Sequence, residues 1–358
     1  KQVFGAVDRD DRWVALGSVK SQVGHTKSTA GAAGLVKAAL SLYQKVLPPT
    51  AKIETPNPKA KLDESPFYLN TLARPWVRAD NHPRRAAVSA FGFGGANFHA
   101  LLEEADEGGV DSAPACLFLA SNKAVIAAAL DEEPTLTHAS QRVLRAFEAG
   151  DTVVSFVAGS LADAKAKLAA YTPVVVGEAP KVAVLFPGQG SQYVNMARTL
   201  TLRRSAVRQA LDRAESAFAA HGRGSLARRI YPIPGFDMAT DKAQRSALTA
   251  TEWAQPAIGA VSKGMFDLLT SFGVAPAAVA GHSYGELVAL CAAGAYDEQA
   301  LWQLSHARGQ AMAVAGGGTM AAVTGPLDRI EALVEPIDGV VLANRNHPTQ
   351  GVISGSES

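Results

Sequence analysis

Cysteine is scarce in this sequence: there are two in 358 residues, Cys116 and Cys291. Two cysteines exclude a disulfide framework, and neither has a partner at zinc-ligand spacing. That usage fits a reducing cytoplasm. An excess of charge of either sign is also lacking. Lys+Arg 34 against Asp+Glu 33 leaves a formal net charge of +1, which removes the electrostatic footprint of a general nucleic-acid binder. No apolar run approaches the ~18 residues that a membrane span needs. The chain opens on Lys1-Gln2-Val3 without Met and without a charged-then-apolar targeting segment. It closes abruptly on Gly355-Ser356-Glu357-Ser358, just after a strand-like stretch. Both ends read as cut, so the expectation is a window from a longer chain.

What is present is enough apolar material, 47% of residues, to bury a sizeable core without staples. Length predicts about two domains with a linker, and composition divides the chain into residues 1–104, 105–180 and 181–358. In the first unit, Trp13–Val19 reads as a buried strand and Ser28–Val46 as a helix stopped by Pro48-Pro49. Ala86–Phe91 and Phe98–Glu103 flank Gly92-Phe93-Gly94-Gly95 as a predicted hairpin. The second unit carries predicted strands at Cys116–Ala120 and Val153–Val157 and a helix over Ala162–Ala170, after a polar junction at Glu103–Gly109. In the third, Val182–Phe186 and a short strand ending at Val279-Ala280 alternate with helical patterns over Asn195–Ala220, Pro256–Phe272 and from Glu286. Strands alternating with helices predict an α/β fold with a parallel sheet.

Gly281-His282-Ser283-Tyr284-Gly285 is Gly-x-Ser-x-Gly between a strand and a helix. A sharp turn there lifts a Ser hydroxyl out of the sheet. The flanking glycines clear the turn, and the helix N-terminus offers N–H groups to an oxyanion. Ser283 is therefore the candidate nucleophile and the Tyr284 N–H the first oxyanion donor; the alternative is an ordinary Gly-rich turn. Pro187-Gly188-Gln189-Gly190-Ser191-Gln192 lacks the Lys-Ser/Thr of a P-loop and the spacing of a dinucleotide site. Gln189 there is expected to point its side-chain amide at the oxyanion, with a plain tight turn as the alternative.

A nucleophilic Ser needs a base. His25, His82, His99, His138, His221, His282, His306 and His347 are present, and none fits. His282 is expected to point away from its neighbour Ser283. His306 reads as a surface or packing side chain, and His347 sits before Pro348 in a loop. A Ser–acid–His order would place the base beyond Ser358. Arg308 lies on the helical stretch after the elbow, either solvated or holding a carboxylate with its guanidinium fork.

Taken together, the motifs resemble a known family. Phe186–Gln192, Thr251-Glu252-Trp253-Ala254-Gln255-Pro256-Ala257, Gly281–Glu286, Arg308-Gly309-Gln310-Ala311-Met312 and Asn344–Gly355 stand in the order found in the acyltransferase domains of type I polyketide and fatty-acid synthases. That resemblance implies an α/β-hydrolase-like acyltransferase core, with a ferredoxin-like insertion starting near Gly318. It implies that Ser283 takes malonyl from malonyl-CoA and passes it to the phosphopantetheine thiol of an acyl-carrier protein. Gln189 and Tyr284 would form the oxyanion hole and Arg308 would bind the malonyl carboxylate. Gln255, Met312, Asn344, Asn346 and His282 would contact the substrate. Tyr284 stands where methylmalonyl-selective relatives often carry Gln, which favours malonyl.

The first unit resembles the C-terminal part of β-ketoacyl synthases, through Val19–Gly34 and Phe91–His99. This implies a thiolase-like remnant, with Ala96 where Thr is common. In it His25 would donate to the thioester carbonyl during decarboxylative condensation, Lys20 would be the motif Lys and Phe93 the gating aromatic. The family's nucleophilic Cys would precede this stretch; Cys116 is not it. Residues 105–180 would be a small α+β linker domain. The local wording resembles polyunsaturated-fatty-acid and enediyne-type synthases most. The implied whole is a homodimer through the complete synthase domain, with no cofactor bound by this chain. Competing expectations are a serine esterase or thioesterase of the α/β-hydrolase type, and a piece catalytically incomplete by itself.

Overall fold

The computed structural model describes residues 12–79, 82–105, 115–148, 152–175, 177–178, 180–220, 222, 224–314 and 318–356. His221, most of the Glu103–Gly109 junction and both chain ends lie outside the described residues. Three sets of elements follow one another, two of which have their own apolar cores.

In the first set, strand Val14–Leu16 pairs in parallel with Phe67–Leu69. The expected helix runs over Ala30–Gln44 and ends earlier than the apolar pattern. Lys45 takes a left-handed φ of 56°, and Val46–Leu47 turns into a short antiparallel pairing with Arg74–Pro75. The predicted hairpin forms between Arg85–Phe91 and Asn97–Glu103. Phe91, Phe98, Leu101, Leu35 and Leu40 stay exposed on this set.

In the second set, Cys116–Ala120 pairs antiparallel with Thr152–Ala158. Helix Leu161–Ala170 follows, capped by Ser160, whose hydroxyl accepts the Asp163 N–H at 3.1 Å. Helices Lys123–Glu132 and Leu136–Arg145 are additions to the expected elements. Asn122 and Thr135 cap them. They bury Ile126, Ala129, Leu130, Ala139 and Val143 against Phe118 and Val154.

The third set opens with β1 (Ala183–Phe186). Its main body continues through α1 (Ser205–Ala220), α2 (Thr251–Ser271), β2 (Ala278–Gly281), α3 (Gly285–Ala292) and α4 (Glu298–Val314). β1 and β2 pair in parallel, Phe186 opposite Gly281, as alternation with helices predicts. The helical stretch expected over Asn195–Ala220 is broken. Asn195 and Ala197 take φ of 66° and 51°, so a short helix, Arg198–Arg203, precedes α1. α2 starts at Thr251, before the expected Pro256, and carries that proline internally. One ladder bond is forgone, and burial of Ala254, Ala257, Ile258 and Val261 offsets it.

β3 (Gly318–Thr324), α5 (Leu327–Val334), β4 (Val340–His347) and β5 (Gln350–Ser356) form a three-stranded antiparallel sheet in the order β3-β5-β4. α5 covers it through Ile330 and Val334. Among the described residues no helix is long and apolar enough to cross a membrane.

The boundary near residue 104 is not a gap in space. Val77 packs against the core of the third set. Arg74 Nε donates to Tyr231 O at 3.1 Å, and Arg84 reaches Asp212 on α1.

Candidate active site

β1 and β2 lie side by side, so the Pro187–Gln192 loop and the 281–285 turn emerge at the same sheet end, the usual ligand position in parallel sheets. The turn is tight. His282 N donates to Phe186 O at 3.0 Å, Gly285 N to His282 O at 2.9 Å and Glu286 N to Ser283 O at 3.1 Å. Ser283 itself takes a φ of 52°, a left-handed conformation costly for a residue with a side chain. That strain lifts its hydroxyl clear of the strand.

Three glycines permit this geometry. A Cβ on Gly281 would stand 2.1 Å from Gly285 C, one on Gly285 would stand 2.1 Å from Phe186 O, and one on Gly188 would stand 2.5 Å from His282 O and 3.3 Å from Ser283 Cβ. The Gly188-Gln189 main chain thus runs directly against the turn. Tyr284 is the N-cap of α3 with no side-chain cap, so the N–H groups of the first turn have no partner four residues back. Gly285 N, Glu286 N and Leu287 N bond instead to carbonyls three residues back, which leaves the Tyr284 N–H without a backbone partner among the described residues.

The expected Gln189 side-chain donor is turned elsewhere. Its Nε2 donates to Thr251 Oγ1 at 3.1 Å, and its Oε1 accepts from Gln255 Nε2 at 3.2 Å. Gln255 is fully buried and also lies 3.2 Å from Met312 Sδ. Gln255, Gln189 and Met312 therefore meet as a hydrogen-bonded relay. Gln255 Oε1 is buried with no partner.

Arg308 reaches the turn from α4. Its Nη2 lies 3.4 Å from Ser283 Oγ, too long for a strong hydrogen bond. Its Nη1 is buried without a partner. Gly309 lets α4 approach the start of α2, since a Cβ there would stand 3.0 Å from Glu252 Cα. A cation with an unused donor beside a strained hydroxyl can bind an acyl group that ends in a carboxylate.

His282 does not simply point away from the turn, as adjacency to Ser283 predicts. Its ring is exposed, but Nδ1 lies over Gly188, 3.1 Å from where a Cβ would be. His306 packs edge-on to Phe218 at 5.8 Å. His347 Nδ1 lies 2.9 Å from Thr349 Oγ1 in the β4–β5 turn. Asn344 and Asn346 sit on β4, and among the described residues no hydrogen bond ties them to Ser283. Lys20, His25 and Phe93 belong to the first set. His25 Nδ1 accepts the Lys27 N–H at 3.0 Å, while Lys20 and Phe93 are exposed. Among the described residues no group of three or more His, Cys, Asp or Glu side chains could hold a metal ion.

Sequence reasoning missed Thr251 as a partner of Gln189, Ser305 as a partner of the Tyr284 hydroxyl and Gly259 beneath that ring. A mid-helix glycine was the available signal, since it often marks close approach.

The chain is similar to known proteins in both sequence and fold. Residues 184–358 match the acyl transferase domain family, and residues 1–54 match the β-ketoacyl synthase C-terminal domain. A polyunsaturated fatty acid synthase polypeptide of Thraustochytrium sp. is 31% identical over 96% of this chain, which spans 14% of that relative. Polyketide synthase GfsE of Streptomyces halstedii is 34% identical over 95% of this chain, which spans 10% of that relative. Among solved structures, the acyl transferase domain of ZmaA superposes with a TM-score of 0.59 at 25% identity, covering 69% of this chain and 61% of that one. The acyltransferase domain from module 8 of the salinomycin polyketide synthase gives 0.51 at 25% identity, covering 68% and 61%.

Proposed function

The chain belongs to the polyketide and polyunsaturated-fatty-acid synthases, and from that premise we propose that its acyltransferase domain moves malonyl from coenzyme A to an acyl-carrier-protein thiol through Ser283. The carrying observation is the pairing of Arg308 with the elbow: Nη2 3.4 Å from Ser283 Oγ and Nη1 buried and unpartnered. Buried cationic donors cost free energy until an anion satisfies them. The malonyl carboxylate, two bonds from the thioester carbonyl, is such an anion.

In the first half-reaction Ser283 Oγ attacks the thioester carbonyl. The O–C bond forms, the C–S bond breaks, and the hydroxyl proton passes through a base to the departing thiolate. The oxyanion faces the Tyr284 N–H and the main chain at Gly188-Gln189. The Gln255–Gln189–Thr251 relay holds that loop in place. In the second half-reaction the carrier's phosphopantetheine thiol gives its proton to the base and attacks the seryl ester; the S–C bond forms, the O–C bond to Ser283 breaks, and Ser283 Oγ takes the proton back. The base is the histidine that the family resemblance implies; among the described residues no histidine hydrogen-bonds Ser283 Oγ.

We assign residues 1–104 to a β-ketoacyl synthase portion, 105–180 to its linker domain and 181–358 to the acyltransferase. In the synthase portion, acceptance by His25 Nδ1 places the proton of the neutral ring on Nε2, where it can donate to a thioester carbonyl. Lys20 and Phe93 keep the motif and gating roles. The exposed Phe91, Phe98 and Leu101 fit a thiolase-like portion covered by the rest of a dimeric synthase domain. The β3-α5-β4-β5 order with β5 central fits a ferredoxin-like insertion. The near-neutral charge and paucity of cysteine fit a cytoplasmic synthase.

Incubation of the intact polypeptide with malonyl-CoA followed by mass spectrometry tests the assignment. A malonyl adduct lost in Ser283→Ala is expected. No adduct, or one that survives that substitution, refutes it.

A further inference from the structure

The Tyr284 side chain takes no part in the chemistry above, yet the fold specifies it at both ends. The ring is fully buried, and its hydroxyl lies 2.7 Å from Ser305 Oγ. Ser305 Oγ donates its one proton to Leu301 O at 2.6 Å, so the phenol is the donor in the Tyr284–Ser305 bond. Space for the hydroxyl exists because Gly259 on α2 has no side chain; a Cβ there would stand 2.1 Å from it.

The two ends of this bond matter for what each is attached to. Tyr284 follows Ser283 directly in the elbow. Ser305 precedes Arg308 by one turn of α4, so both project from the same side of that helix. Arg308 returns to Ser283 Oγ at 3.4 Å. Nucleophile, phenol, helix turn and guanidinium thus form a closed circuit, with the Tyr284–Ser305 hydrogen bond as its only buried polar link between elbow and helix among the described residues.

We propose that the Tyr284 phenol is a positioning residue that fixes the distance between Ser283 and Arg308, and thereby sets the preference for acyl groups carrying a free carboxylate over neutral ones. This rests on the assignment of Ser283 and Arg308 given above. The side chain does not line the acyl pocket; it acts through α4. A neutral acetyl group uses the elbow but makes no use of Arg308. Loosening α4 therefore penalises malonyl selectively, whereas general damage to the elbow penalises both.

The test measures kcat/KM for malonyl-CoA and acetyl-CoA in the intact polypeptide, with Tyr284→Phe, Ser305→Ala and both together. Each single substitution is expected to lower the malonyl-to-acetyl ratio roughly three- to tenfold, the scale of a sub-ångström misplacement. The double variant should fall no further, because both remove one bond. On an Arg308→Ala background, Tyr284→Phe should leave the ratio unchanged. If Tyr284→Phe fails to fold, Ser305→Ala carries the same test, since alanine favours the helix. A ratio that stays constant while both substrates slow together overturns the inference and leaves a structural role. Absence of a Ser283 adduct in the unsubstituted protein would overturn the site assignment, and this inference with it.

Discussion

Arg84 and Asp212 lie far apart in the chain and meet as a buried ion pair. Arg84 Nη2 lies 2.8 and 2.7 Å from the two carboxylate oxygens of Asp212. The same guanidinium lies 2.9 Å from Glu104 Oε2 through Nη1, and its Nε donates to Trp76 O. Lys45 Nζ approaches Glu104 at 3.0 Å. With only 2% of its side chain exposed, Arg84 joins the hairpin that closes the first set of elements to α1 of the acyltransferase. Arg84→Ala would leave two carboxylates short of their cation. Loss of one partner of a buried pair costs about 3–5 kcal/mol. The expected outcome is a lower thermal midpoint and faster proteolysis between residues 72 and 104, with Ser283 still able to accept an acyl group. An unshifted melting curve would refute the clamp.

Glu104 makes that clamp pH-sensitive. Burial alone would push its carboxyl up, but the Arg84 N–H, the Lys45 ammonium and the Arg84 guanidinium outweigh burial and hold it down at about 2, from 4.5. A depressed folded pKa means the unfolded chain binds the proton first. The stabilisation is complete above about 4.5 and is lost as pH falls from there toward about 2. Glu104→Gln should flatten the stability profile in that window, losing most stability near neutrality and converging on the unsubstituted protein as pH falls toward about 2. An identical acid limb in the variant would remove Glu104 from the account.

The elbow was legible in the sequence because every requirement of a tight strand-to-helix turn falls on a residue type. Gly281, Ser283 and Gly285 each answer one steric or chemical demand. The parallel pairing of β1 with β2 followed from alternation alone. Helix Lys123–Glu132 was not legible from periodicity, because it is alanine-rich and its buried and exposed faces differ little in hydropathy. Helix Leu136–Arg145 is strongly amphipathic, with Ala139 and Val143 buried and a polar opposite face behind the Thr135 cap, so its signal was present in the sequence and went unread. The break at Asn195–Ala197 was hidden because neither residue is glycine or proline. Which way Gln189 turns was also beyond sequence. Its choice of Thr251 over Ser283 depends on α2 beginning before Pro256, which exposes the Thr251 hydroxyl beside the loop.

The glycines of the turn give a prediction free of any assumption about substrate. Gly285→Ala would drive a Cβ to within 2.1 Å of Phe186 O, a main-chain atom that cannot move without parting β1 from the turn. Ser283 should lose acyl transfer by at least ~10²-fold, the cost of misplacing a reacting group by about an ångström. Ser191→Ala, in the neighbouring loop but bonded only within its own turn to Gly188 O, is the control and should lose far less. Equal losses would mean the loop as a whole, not the elbow, is being disturbed.

Gln255→Leu tests the relay without touching Ser283. It keeps a similar volume but removes the donor to Gln189 Oε1 and to Met312 Sδ. Gln189 then loses its only buried anchor among the described contacts and keeps the Thr251 bond alone. Because the Gly188-Gln189 main chain would form one wall of the proposed oxyanion site, the loss should fall on kcat rather than on KM, by about tenfold or more. A rise in KM with kcat intact would show that Gln255 serves substrate binding instead.

Arg308→Ala and Arg308→Lys separate charge from shape at the carboxylate site. Alanine removes both, and a charge-assisted pair contributes about 1.5–3 kcal/mol, which corresponds to a loss of roughly 10- to 150-fold in kcat/KM for malonyl-CoA. Acetyl-CoA brings no carboxylate, and removing the buried, unpartnered Nη1 relieves its desolvation cost, so acetyl transfer should hold or rise. Lysine keeps the charge but offers a point donor on a flexible stem instead of a fork. Its malonyl rate should fall between those of the unsubstituted protein and alanine. The diagnostic quantity is the malonyl-to-acetyl ratio across the three side chains. A ratio that falls from Arg to Lys to Ala identifies Arg308 as the carboxylate receptor. A ratio that stays level while both rates drop would mean that Arg308 supports the Ser283 turn instead, through the 3.4 Å contact already seen between them.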